Sequence, residues 1–165
     1  MSSDTMTVTT PTDREIAMTR VFDAPRKLVF DALTTPDLVR RWMLGPDGWT
    51  MPVCEIDLRV GGAYRYVWRN AKGKEMTMTG MYREVVPHER LVGTETFDDP
   101  WYEGEAISTT VLTEQNGKTT LTATVRYDSK AIRDAVLESG MERGVAVSYD
   151  RLEAILASAA ADERR

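Results

Sequence analysis

Apolar residues recur along this chain at two different spacings, and the switches between them outline a set of elements. From Arg14 to Phe22, Ile16, Met18, Val21 and Phe22 sit in a β-type composition and predict a first strand. Asp23 then offers an N-cap and Pro25 lies near the first helical position, where its missing N–H costs nothing. The predicted helix from Pro25 to Leu33 shows Leu28, Val29, Ala32 and Leu33 on one face. Thr35 and Pro36 repeat the start signal for a second short helix, which carries Leu38, Val39 and Trp42 and stops near Gly45.

The middle of the chain alternates with period two. Val53 to Leu58 is the first such run. After Gly61-Gly62, Tyr64, Tyr66 and Trp68 share one face, with Arg65, Val67 and Arg69 on the other. A turn at Asn70 to Lys74 leads into Glu75 to Val86, which ends at Pro87. Arg90 to Phe97 places Leu91, Gly93, Glu95 and Phe97 on one face; a loop follows at Asp98-Asp99-Pro100. Ala106 to Glu114 and Lys118 to Tyr127 are joined by Gln115-Asn116-Gly117, a strong hairpin signal. In the last strand Leu121, Ala123, Val125 and Tyr127 face inward and Thr120, Thr122, Thr124 and Arg126 face water, the pattern of an antiparallel sheet with one wet face.

The end reads as helix in two pieces. Ser129 can cap a short helix through Ile132, Val136 and Leu137. Ser139 and Glu142 form a Ser-x-x-Glu capping-box pattern that would restart the helix near Gly140. Met141, Val145, Ser148, Tyr149, Leu152, Ile155 and Leu156 then line one face. About 18 residues at ~1.5 Å each span roughly 27 Å, enough to cross a small sheet. The expected order is β-α-α-β-β-β-β-β-β-α in one α+β domain over residues 13–160, with disordered tails at 1–12 and 161–165. Burying every apolar face calls for a curved sheet against one long helix, and such a pairing leaves room for a small molecule.

Composition narrows the class. The 165 residues suit a single domain with a real core, and a formal net charge of -5 speaks against nucleic acid as a partner. A single cysteine, Cys54, forbids an intramolecular disulfide and suits a reducing compartment. Residues 1–12 lack the basic and apolar regions of a secretory signal. No stretch reaches the ~18–20 apolar residues of a membrane span. A cytoplasmic location without membrane insertion is the expectation.

Candidate chemistry is sparse. His88, the one histidine, sits in Val86-Pro87-His88-Glu89 and reads as an exposed turn residue. Cys54, in phase with Ile56 and Leu58, reads as a small buried hydrophobe. With no His or Cys ligand spacing, neither a metal nor another cofactor is expected. The stripe Tyr64, Tyr66 and Trp68 reads as core packing or as a pocket wall. The polar tips of Tyr and Trp need partners when buried and favour the wall. Met76, Met78, Met81 and Met141 add adaptable surface. Glu95 shares a face with Leu91, Gly93 and Phe97, which aims a carboxylate inward, costly unless it is paired or protonated. It would hold a ligand hydroxyl or act as a general acid or base; a salt bridge to arginine or an outward register are the alternatives. Trp101 and Tyr102 would form a loop rim, and Trp42 would close the same mouth.

Five stretches resemble a known family: Thr19-Arg20-Val21-Phe22-Asp23-Ala24-Pro25; Val29 to Trp42; Asp57 to Tyr66 with its Gly-Gly; Gly80 to Leu91 (GMYREVVPHERL); and Ser139 to Leu152 (SGMERGVAVSYDRL). In this order they resemble the START-like (SRPBCC) superfamily, in its subgroup similar to the carboxy-terminal domain of the activator of the heat-shock protein 90 ATPase. The resemblance implies a helix-grip fold, a seven-stranded antiparallel curved sheet wrapped around a long C-terminal helix, with two short helices after strand 1. The superfamily hosts lipid carriers, plant-allergen-like binders, cyclases and co-chaperones, so it does not by itself assign a function.

Together these readings point to a binder of a small hydrophobic or aromatic molecule, lipid-, polyketide- or flavonoid-like, held between sheet and C-terminal helix. The expected wall is Trp42, Tyr64, Tyr66, Trp68 and Met78, with Glu95, Phe97 and Trp101, and with Met141, Val145 and Tyr149 from the helix. A co-chaperone-like domain with a chaperone partner, and a cofactor-free cyclase or dehydratase using Glu95, are the alternatives.

Overall fold

Every alternating segment becomes a strand of one antiparallel sheet. The computed structural model describes residues 6–98 and 104–163. Their strands are β1 (Thr7–Thr9), β2 (Glu15–Phe22), β3 (Trp49–Ile56), β4 (Ala63–Asn70), β5 (Glu75–Val86), β6 (Arg90–Phe97), β7 (Ala106–Gln115) and β8 (Lys118–Arg126). The helices are α1 (Arg26–Thr34), α2 (Pro36–Trp42), α3 (Lys130–Glu138) and α4 (Met141–Glu163). The sheet runs β1-β2-β8-β7-β6-β5-β4-β3, so the early strand β2 pairs with the final strand β8. This is the helix-grip arrangement, with eight strands rather than seven. The extra strand is Thr7–Thr9, paired with Ala17–Thr19, inside the stretch expected to be a disordered tail. At the other end α4 continues to Glu163, beyond the residue 160 expected as its limit.

Local signals explain most boundaries. Asn116 and Gly117 take φ of 56° and 77°, the paired left-handed conformations that a two-residue hairpin turn requires. Ser129 accepts the Ile132 N–H at 3.1 Å and caps α3 as its position predicts. Pro25 itself, not Asp23, is the N-cap of α1. Ser139 departs from the capping-box expectation. It closes α3, donating to the Val136 carbonyl at 2.5 Å and accepting the Met141 N–H at 3.2 Å. Gly140, at φ 85°, turns the chain into α4, so the helical end breaks where the sequence places it.

The sheet curves at two irregularities, one between Thr50 and Val53 and one between Tyr82 and Glu84. Three apolar clusters fill its concave side. Phe22, Leu112 and Leu121 pack with Leu152 and Leu156 of α4 and with Val29 and Phe30 of α1. Ile16, Met18, Val125 and Tyr127 pack with Val136 of α3. Tyr64, Tyr66, Met78 and Tyr82 pack with Val39 of α2 and Met51. Arg20, only 1% exposed, bonds to Asp150 at 2.9 Å and Glu153 at 3.0 Å, tying α4 across β2. No described helix is long and apolar enough to cross a membrane.

Candidate ligand cavity

The three clusters adjoin through partly buried residues: Val145 between the first and second, Phe97 between the second and third, and Met43 between the first and third. Between them lies a cavity of about 580 Å³, within the roughly 300–1,000 Å³ typical of sites for drug-sized molecules. Its floor is the concave face of the sheet: Met18 from β2, Leu121, Ala123 and Val125 from β8, Ser108 and Thr110 from β7, Glu95 and Phe97 from β6, Met76 from β5 and Trp68 from β4. Its roof is the start of α4, where Met141, Gly144, Val145, Ser148 and Tyr149 recur at helical spacing on one face. The side wall is Leu33, Trp42 and the loop from Met43 to Trp49, which contributes Met43, Leu44, Gly45, Pro46 and Trp49.

The walls are fixed by hydrogen bonds at the aromatic tips. The Trp42 Nε1–H donates to the Ala32 carbonyl at 2.8 Å, and the Trp68 Nε1–H donates to the Met43 carbonyl at 2.7 Å. Each indole is therefore satisfied by backbone and leaves its apolar face free for the cavity. The loop is also held from above. Ser148 Oγ accepts the Gly45 N–H at 2.8 Å, and Arg151 donates to the Gly45 carbonyl at 2.7 Å and to Asp47 at 3.0 Å. The loop packs against α4 at Gly144, where a Cβ would stand 3.4 Å from Pro46 Cδ, at ordinary contact distance.

Seven of the expected wall residues line the cavity: Trp42, Trp68, Glu95, Phe97, Met141, Val145 and Tyr149. Tyr64, Tyr66 and Met78 do not. They share the concave face with Trp68, but farther along the strands they are interlocked with Tyr82 and Met51 in dry core. The Tyr64 ring fits over two residues without side chains, Gly80 and Gly93, and its hydroxyl donates to the Thr94 carbonyl. Trp101 and Tyr102 lie outside the described residues. Met81, expected to add ligand-facing surface, is 50% exposed on the outside, whereas Met76 does face the cavity. His88 is in a turn as predicted but half-buried, edge-on to Phe30 with centroids 5.5 Å apart. Cys54 is half-buried rather than fully so, and burial pushes its thiol up to about 11, away from the reactive thiolate.

The sequence reading missed the Met43–Trp49 loop, although Met43, Leu44 and Trp49 are an unusual apolar concentration around Gly45 and Pro46. It also missed Met18, Ser108 and Thr110, which alternation on β2 and β7 places on the same face as their neighbours.

Glu95 is half-buried, and the wall around it is the cavity's apolar lining. Burial raises its pKa from 4.5 to about 7, because a carboxylate loses hydration there; a hydrogen bond with Ser108 opposes the rise. Tyr149, between Phe22 and Trp42, is pushed up by burial, opposed by Arg20, and is a neutral donor. Among the described residues, the cavity thus combines a mostly apolar surface with one carboxyl group and a few hydroxyls.

Fold and cavity together define a helix-grip domain of the START-like superfamily. Residues 23–157 match the sequence model of the Activator of Hsp90 ATPase homolog 1-like proteins, and the chain belongs to that family. Among solved structures, a protein from Rhodobacter sphaeroides is 29% identical with a TM-score of 0.88, covering 93% of this chain and 98% of its own. One from Chromobacterium violaceum is 29% identical with a TM-score of 0.76, covering 88% and 98%. The AHSA1 protein from Silicibacter pomeroyi, 21% identical with a TM-score of 0.69 over 87% and 97%, shares the fold. None of the curated proteins matches the chain.

Proposed function

We propose that this protein binds a small, largely apolar molecule with aromatic character in the cavity between sheet and α4. The observation that carries this reading is a cavity of about 580 Å³ walled by three of the chain's four tryptophans together with Phe97, Met18, Met76 and Met141. At about 25 cal/mol per Å², a ligand burying ~250 Å² of apolar surface gains about 6 kcal/mol before entropic costs, which caps the affinity from this area at a Kd of tens of micromolar. A chaperone-interaction role, which the family's name suggests, would act through the outer surface and leaves the cavity unexplained.

A flavonoid such as naringenin, titrated into the protein, is expected to quench tryptophan fluorescence saturably. Trp68→Ala should weaken that binding by more than about 1 kcal/mol, because the ring supplies a direct aromatic contact. Absence of saturable quenching across a panel of flat hydrophobic compounds would overturn the reading. One observation favours a catalytic variant of it, the carboxyl of Glu95 with a pKa of about 7 inside the cavity. In that variant Glu95→Gln would lose turnover of a polyketide-like substrate.

A further inference from the structure

Among the described residues, Glu95 is the one charged side chain on the cavity wall, and no lysine, arginine or histidine faces the cavity with it. Its polar companion is the Ser108 hydroxyl. Phe97 lies two residues further along β6, on the same face, and the Trp68 ring stacks on it with centroids 6.4 Å apart and planes inclined by 23°. A carboxylate beside a stacked aromatic pair, in a pocket otherwise apolar, offers two attractions to one kind of group. The carboxylate attracts a cation directly, and the ring faces attract it through their quadrupoles. We propose that the ligand of this cavity is an organic cation, an amine on an apolar or aromatic body, whose ammonium group pairs with Glu95 beside the Trp68–Phe97 pair.

This proposal rests on the cavity-binding reading and adds the charge of the ligand to it. A carboxylic acid ligand would meet a like charge and find no cationic partner among the described wall residues. A neutral ligand would leave the carboxylate desolvated without a counter-charge, the condition that raises the Glu95 pKa. An ammonium ion removes that deficit.

The pH dependence follows from the groups around Glu95. Tyr64 and Tyr66 of β4 couple to it electrostatically, and burial pushes both upward, so they stay neutral. Tyr149 of α4 is likewise raised. Glu105 couples to Tyr64 and is paired with Arg83 at 3.4 Å. The β7, β8 and β2 walls present Ser108, Thr110, Leu121, Ala123, Val125 and Met18, and the loop wall presents apolar side chains; none of these titrates. Among the described residues, Glu95 is therefore the group whose ionisation sets cation affinity, which rises as pH increases through about 7.

Three probes of one shape test this on the full chain: naphthylmethylamine, naphthylmethanol and naphthoic acid, each followed by tryptophan quenching. At a pH of about 8 the amine is expected to bind about tenfold or more tighter than the alcohol, with the acid weakest. The amine-to-alcohol ratio should collapse at a pH of about 5.5, and also in Glu95→Gln at pH of about 8. If the alcohol binds and the amine binds no tighter, or if the ratio survives in Glu95→Gln, the cation assignment is wrong while the cavity reading stands. If none of the three quenches and the flavonoid panel also fails, the cavity reading itself is wrong.

Discussion

The Tyr64 hydroxyl occupies the space in which a side chain at Gly93 would begin: a Cβ placed on Gly93 would stand 2.5 Å from Tyr64 Oη. Tyr64 reaches from β4 across β5 to β6, lying over Gly80 and Gly93 and ending at the Thr94 carbonyl. Two missing side chains thus make a trough for one large ring.

Gly93→Ala should therefore destabilise the fold by about 1–3 kcal/mol, the usual cost of overpacking a filled core. Gly80→Ala should cost more, because its Cβ would also meet the backbone oxygen of Thr94, which cannot swing aside. Urea denaturation checks both, with the midpoint falling and the slope unchanged.

Glu95 makes stability fall with pH. Its folded pKa, about 7, is above the ordinary 4.5, so between these values the folded state holds a proton that the unfolded state has released. The stability is fully present below 4.5 and is lost as pH rises through about 7. At ~1.36 kcal/mol per unit, the loss amounts to up to about 3 kcal/mol. Glu95→Gln should be more stable than the parent at a pH of about 8 and nearly equal to it at about 4, a difference that paired urea melts at the two pH values would read. Equal stability differences at both pH values would contradict it.

The ion pairs of Arg20 should respond asymmetrically. Arg20 is 1% exposed, whereas Asp150 is 66% exposed and Glu153 29% exposed. Replacing both acids in Asp150→Asn/Glu153→Gln takes two ionic partners from a buried cation and should cost about 3–5 kcal/mol. Arg20→Met leaves two acids that water reaches and fills part of the space with apolar atoms, so its cost should be clearly smaller. Thermal melts of the two variants decide the order.

Gly144 separates helix propensity from loop contact. A Cβ there would sit 3.4 Å from Pro46 Cδ, an ordinary contact, so Gly144→Ala should stabilise α4 by about 0.5–1 kcal/mol. Gly144→Leu should instead lift the Met43–Trp49 loop off the helix and speed hydrogen exchange at the Gly45 amide, which Ser148 now accepts. An unchanged Gly45 exchange rate in Gly144→Leu would show that the loop tolerates the bulk.

Alternation makes the sheet and its wet and dry faces legible in the sequence alone, because a strand's period assigns each side chain to a side. It correctly set Tyr64, Tyr66 and Trp68 on one face, and Glu95 with Phe97. It could not say where along that face packing ends and a cavity begins. That depends on the two glycines under Tyr64 and on the register of three strands, which are non-local. The Met43–Trp49 wall was illegible for a related reason, since a loop has no period and its apolar residues take meaning only from the helix above them. The strand Thr7–Thr9 escaped notice because three residues in a Ser/Thr-rich segment carry too little alternation to register.

Among the described residues the sheet does not close on itself, and that has a consequence for how copies of the chain behave beside one another. Its two free margins are β1 and β3. One is three residues long; the other is interrupted at Met51-Pro52, where the pairing slips and Pro52 has no N–H to offer. Neither margin presents the long, regular row of donors and acceptors that a second molecule needs in order to add a strand. The irregularity that bends the sheet around its cavity therefore also guards against edge-to-edge polymerisation, so a variant that straightens β3 would endanger solubility before it disturbed the cavity.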